Sequence, residues 1–136
     1  MTNKLPRGLR NNNPLNIRIS GTPWQGKIEP NTDGQFEQFS SLEYGLRAAL
    51  VNIRTYIRSY RIDTVQTIIS RWAPGSDGNN VKAYIEVVCN KANLTPTQIL
   101  KYNDRNKLCR LVWAMAFVEC GVEISFGRVE NAWAII

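Results

Sequence analysis

Acid–base chemistry in this chain must run on carboxylates, tyrosine or lysine, because its 136 residues include no histidine. That absence removes Ser-His and Cys-His nucleophilic catalysis. Among the carboxylates, Glu119 is the most pointed. It lies in the run Ala116, Phe117, Val118, Glu119, Cys120, Gly121, Val122, at the last turn of an expected helix. Apolar neighbours disfavour a charged carboxylate, and the negative end of the helix dipole acts in the same direction. A carboxyl held neutral near physiological pH can protonate a leaving glycosidic oxygen. The bland alternative is an exposed Glu that merely ends a helix.

The other carboxylates divide by position. Ser40 and Glu43 form a capping-box pattern, and Asp63 and Asp104 stand where helix N-caps belong. Glu86 faces away from its apolar stripe. Glu29, Asp33 and Glu37 are the candidates for a second carboxylate across a cleft, although Asp33 equally suits a turn. Tyr84 shares a helical stripe with Val81, Ile85 and Val88, so a core position is its default. A buried hydroxyl needs a partner, which makes the edge of a cleft the rival position. Trp72, Trp113 and Trp133 read as core. Trp24, in a Pro/Gly-rich stretch, could offer a platform to a sugar ring.

These residues need elements to hold them. Leu15, Ile17 and Ile19 alternate with polar residues and predict a short strand. Residues 24–29 and 35–39 predict two more, joined by a turn at Asn31, Asp33 and Gly34. From Ser40 the period becomes helical. Leu42, Leu46, Leu50, Ile53 and Ile57 predict a helix over 41–59. A second starts near Asp63 and ends before Pro74 and Gly75. A third carries Tyr84, and a short fourth opens at Thr95, Pro96 and Gln98. A fifth runs from Asp104 to a Gly121 cap, and a last one spans 128–135. The expectation is one α+β domain over 1–136, mainly α, with a small β-lobe in 1–39 and helices over 40–136.

Composition narrows the partners. The formal charge is +6 and the pI about 9.5, which suits a polyanion: nucleic acid, anionic membrane or bacterial wall. No recognition helix or stacking signature accompanies the charge, so nucleic acid is set aside. Three cysteines without a CxxC argue against a disulfide framework or a zinc site, and no metal or cofactor is expected. No stretch is apolar and long enough to span a membrane. Residues 1–10 lack the apolar run of a secretory signal.

Five segments carry a resemblance. They are residues 7–18 (RGLRNNNPLNIR), 24–26 (WQG), 33–39 (DGQFEQF), 44–48 (YGLRA) and 71–74 (RWAP). In this order they resemble a family of phage and prophage virion proteins with a lysozyme-like domain. Asn13 to Arg18, Trp24 to Gly26 and Phe36 to Phe39 are also similar to successive pieces of bacterial-wall glucosaminidases. In those enzymes a Glu-bearing helix comes first; here the corresponding helix, with Glu119, comes last. Tyr84-Ile85-Glu86-Val87-Val88 is similar to the tyrosine helix of lytic transglycosylases.

The resemblance implies a circularly permuted lysozyme-like fold that cleaves peptidoglycan glycan strands, with Glu119 as acid and Tyr84 beside it. It further implies substrate contacts from Asn13, Asn16, Trp24, Phe36 and Asn79. A lone acid fits a lytic transglycosylase; a facing carboxylate would fit a muramidase or glucosaminidase. A protein made in the cytoplasm would then reach the wall or periplasm through a virion, a holin or a secretion apparatus. Other virion or secretion-apparatus proteins are the further expected partners. The chain departs from the family at Asp77-Gly78-Asn79-Asn80, where relatives carry Glu-Asn-x-Thr, and at Cys120, where they carry Asn. The competing class is an inactive virion or wall-binding protein of the same fold.

Overall fold

The computed structural model describes residues 5–136; residues 1–4, part of the stretch expected to be irregular and to lack a secretory signal, lie outside it. Among the described residues, six α-helices follow one another: α1 (Arg7–Arg10), α2 (Leu42–Tyr60), α3 (Val65–Trp72), α4 (Val81–Ala92), α5 (Arg105–Cys120) and α6 (Phe126–Ala134). The chain is a mainly helical single domain.

α5 is apolar on most of its circumference, which suits a helix enclosed by others. Leu108, Leu111, Val112, Ala114, Met115 and Ala116 are all fully buried, and α1, α2, α4 and α6 pack around the helix. α2 contributes the stripe Leu46, Leu50 and Ile53. Each fully buried Leu or Ile contributes about 1.5–3 kcal/mol relative to its exposed state.

Side chains close the starts of α2, α3, α4 and α5. Ser41, not Ser40, caps α2 by accepting from the Tyr44 N–H. Glu43 does not complete a capping box; it forms a two-pronged pair with Arg128 of α6, both bonds 2.8 Å. Thr64, one residue past the expected Asp63, caps α3 in a reciprocal box with Thr67. Asn80 and Asp104 cap α4 and α5, and Gly121 ends α5 at φ 73°. The cap of α5 at both ends is as the sequence indicates.

The expected β-lobe does not form. Residues 11–40 hold isolated bridges only, Arg18 with Phe36 and Lys27 with Phe39. Side chains take the backbone groups that a strand ladder would need. Asn13 Nδ2 donates to the carbonyls of Ile17 and Glu37, and its Oδ1 accepts from the Ile17 N–H. Asn31 Oδ1 accepts from the N–H groups of Asp33 and Gly34, and Asp33 Oδ2 from those of Gln35 and Phe36. The result is a stitched loop region.

Three further differences stand out. The short helix at Thr95 is a turn instead, closed by Gln98 and bridged to the start of α3 through Thr64 and Ile99. α6 begins at Phe126 rather than 128. α1, one turn long, has no counterpart in the expectation.

α2 lies directly on the asparagine loop. A Cβ at Gly45 would run into the Asn12 carbonyl, so only glycine permits this approach. The loop that carries Asn16 is thereby fixed from one side by α2 and from the other by the end of α5.

Candidate functional site

Glu119 sits on the final turn of α5, partly buried, with both carboxyl oxygens engaged. The Tyr84 hydroxyl of α4 donates to Oε2 at 2.9 Å, and Asn16 Nδ2 donates to Oε1 at 3.1 Å. Burial raises the Glu119 pKa above the ordinary carboxylate value, and the bonds from Asn16 and Tyr84 pull against that shift. Tyr84 is itself 6% exposed. Burial, and then the adjacent Glu119 charge, hold its pKa well above that of a free phenol, so it serves as a donor.

Asn16 reaches Glu119 from an unusual backbone. Its φ is 55°, in the left-handed region that asparagine tolerates better than most residues. The neighbouring Cys120 secures the arrangement, its thiol donating to the Pro14 carbonyl at 3.0 Å. The thiol is buried and its pKa is pushed up to about 11, so it is a structural anchor and not a nucleophile. Cys89 and Cys109 are buried as well, as their apolar neighbours indicated.

Glu119 faces a hollow of about 190 Å³, lined also by Leu15, Asn16, Arg18, Phe36, Trp72, Ala73, Asp77 and Asn79. A second hollow, about 330 Å³, shares Asn16, Arg18 and Trp72 and adds Trp24, Asn52 and Tyr56. The shared residues make the two hollows one groove, with the carboxyl towards one end and an aromatic group towards the other. Tyr56 and Trp72 meet edge to face at 6.1 Å, and Trp72 Nε1 is tied to the Leu15 carbonyl at 3.1 Å.

The groove therefore gathers Glu119, Asn16, Trp24, Phe36 and Asn79, and Tyr84 lies behind the carboxyl. Asn13 is elsewhere. It is 0% exposed, and its amide is spent on the Ile17 and Glu37 backbone, so it shapes the loop rather than meeting a ligand. The three carboxylates considered as partners are also committed elsewhere. Asp33 receives two bonds from Arg7 at 2.8 Å and one from Asn11, which hold its pKa far below the ordinary range. Glu37 is 0% exposed and pairs with Lys27 at 3.2 Å. Glu29 is an exposed partner of Lys27 at 3.6 Å. None of the three lines either hollow.

Arg18, Asn52, Tyr56, Trp72 and Asp77 complete the lining and were not picked out from the sequence as site residues. Asn52 and Tyr56 stand one helical turn apart on α2, which is a legible spacing. Asp77 lies in a one-turn 3-10 segment, Gly75–Asp77, inside a polar loop that carries no periodic signal. Among the described residues, no group of His, Cys, Asp and Glu could hold a metal ion.

The molecule is thus a mainly helical domain whose central helix ends in a shielded carboxyl on an open groove. No family model matches the chain. It is similar to Protein P5 of Pseudoalteromonas phage PM2, with 41% identity over 105 residues, and is a homologue of that phage protein. The matched region is 75% of this chain, and the chain covers 64% of the length of its relative. Among the described residues no helix is long and apolar enough to cross a membrane.

Proposed function

We propose that this protein cleaves the glycan strands of bacterial peptidoglycan, with Glu119 as the general acid. One observation carries the reading: a carboxyl of raised pKa, held by Tyr84 and Asn16, faces a groove with aromatic and amide lining. A protonated carboxyl can give its proton to the glycosidic oxygen, and a donor such as Tyr84 keeps it oriented through the step. Aromatic faces suit the apolar side of a sugar, and amides suit its hydroxyls. Arg18 has no acidic partner among the described residues and suits the lactyl carboxylate of a muramoyl unit.

The lysozyme-like, circularly permuted architecture belongs to the same reading. Its support is the placement of the loop 12–18, near the start of the sequence, against the end of α5 through the bonds of Asn16 and Cys120. In glucosaminidases the corresponding pieces run in the opposite order, helix first. Exchanging that order leaves the contacts intact when the exchanged ends lie near one another. The relationship to a phage protein supports carriage to the wall by a virion.

Purified protein applied to peptidoglycan embedded in a gel tests this reading. Wild type clears the gel, and Glu119→Gln, which keeps shape and loses the acid, clears it at least about a hundredfold less. Binding to sacculi without clearing by either protein would identify a wall-binding protein of the same fold instead.

A further inference from the structure

Glu119 shares its hollow with one other carboxylate, Asp77. The side chain of Asp77 makes no hydrogen bond or ion pair among the described residues, whereas Asp33, Glu37 and Glu29 are each held by a cation. Asp77 is carried by the turn between α3 and α4, on the groove side, next to Asn79. The two carboxyls occupy contrasting surroundings: Glu119 is shielded at the helix end and Asp77 is open to water. Such a contrast is what an acid and a base on one site require.

We infer that Asp77 is the second carboxylate of the site and that the glycan strand is cut by hydrolysis; this rests on the glycan-cleaving function proposed above. Glu119 gives its proton to the glycosidic oxygen as the bond from that oxygen to the anomeric carbon breaks. A water adds its oxygen to the anomeric carbon and yields a proton to Asp77. That proton passes to solvent, Glu119 takes one up, and the product is a strand with a reducing end. No co-reactant other than water is consumed. With Asp77 absent from the site, the muramoyl hydroxyl would be the remaining nucleophile and the product would carry an anhydro end.

Digestion of purified sacculi in ¹⁸O-water tests the inference, with Asp77→Asn, Asp77→Glu and Glu119→Gln beside wild type. Wild type is expected to give reducing ends with one ¹⁸O atom per cut. Asp77→Asn is expected to lose about 10²- to 10⁴-fold in rate. Its melting temperature and its binding to sacculi should be unchanged, since the side chain holds nothing in the fold. Asp77→Glu should recover part of the rate. Anhydro ends from wild type, or a full rate in Asp77→Asn, overturn the role of Asp77 and leave the function of Glu119 standing. Absence of cutting by wild type, or full activity in Glu119→Gln, overturns the glycan-cleaving reading and the role of Asp77 with it.

Discussion

Tyr84 and Glu119, on different helices and 35 residues apart, are joined by a hydrogen bond of 2.9 Å from the phenol to the carboxyl. The bond ties the first half of α4 to the final turn of α5, where Glu119 follows eight residues with no charged side chain. It also biases the proton: a donor favours the charged carboxylate and so opposes the effect of burial.

Tyr84→Phe removes that donor and leaves the ring. The Glu119 pKa then rises further, because burial acts with less opposition. An acid must be protonated to work, so the alkaline limb of the pH–rate profile should move to higher pH. The rate at the optimum should fall roughly tenfold, as expected for one oriented hydrogen bond of about 1–1.5 kcal/mol. Measurement of kcat against pH for both proteins decides; a profile that does not move denies Tyr84 its influence on the carboxyl.

Glu119→Gln should change the dependence of stability on pH. The folded carboxyl binds its proton more tightly than the unfolded one, so its contribution to stability is complete below the unfolded pKa, about 4.3 for glutamate. That contribution is lost as pH rises through the folded pKa. The glutamine variant avoids the loss. Thermal melts should show it more stable than wild type at neutral pH, with the difference shrinking in acid.

Asp33 has the opposite sign. Arg7, first, and the Phe36 N–H, next, hold its pKa far below the ordinary range. Its contribution is present above the unfolded value, about 3.9, and is lost as pH falls towards the folded one. Asp33→Ala should cost about 1 kcal/mol at neutral pH, the pair being partly screened by water. Activity per folded molecule should stay at the wild-type level, because Asp33 lines neither hollow.

Gly45→Ala places a methyl group against the Asn12 carbonyl. Relief requires the asparagine loop to move off α2, at about 1–3 kcal/mol or more. Denaturant unfolding should register the loss, and the shift of the loop should weaken activity through Asn16. A variant as stable as wild type would show that the two backbones are not in contact.

Cys109 and Cys120 are buried, and burial pushes the pKa of each thiol up to about 11. A disulfide reagent at mildly alkaline pH should leave both unmodified in the native protein and label both after denaturation. Rapid labelling of the folded chain would contradict the enclosure of the α5 terminus.

The helical part of the molecule was legible because its signals repeat. Leu42 to Ile57 mark α2 by period, and Asp104 and Gly121 mark both ends of α5 by chemistry. Glu119 was legible for the same reason, as a charge at the end of an apolar helix. Residues 11–40 misled because alternation there is real but incomplete: Leu15 and Ile17 are buried, while Ile19 is exposed and the side chains of Asn13, Asn31 and Asp33 occupy the backbone. Alternation states which way side chains point, not where backbone hydrogen bonds go. Asp77 escaped notice because a one-turn segment has no period, and only the folded chain brings it into the hollow that Glu119 lines.

Asn16 and Glu119 are 103 positions apart, yet the hollow needs both. A nascent chain emerging from the ribosome carries the asparagine loop long before the helix that bears Glu119 has been made. Closing so wide a span is among the slower events of folding. The groove around Glu119 is thus completed only when α5 docks against a loop made about a hundred residues earlier.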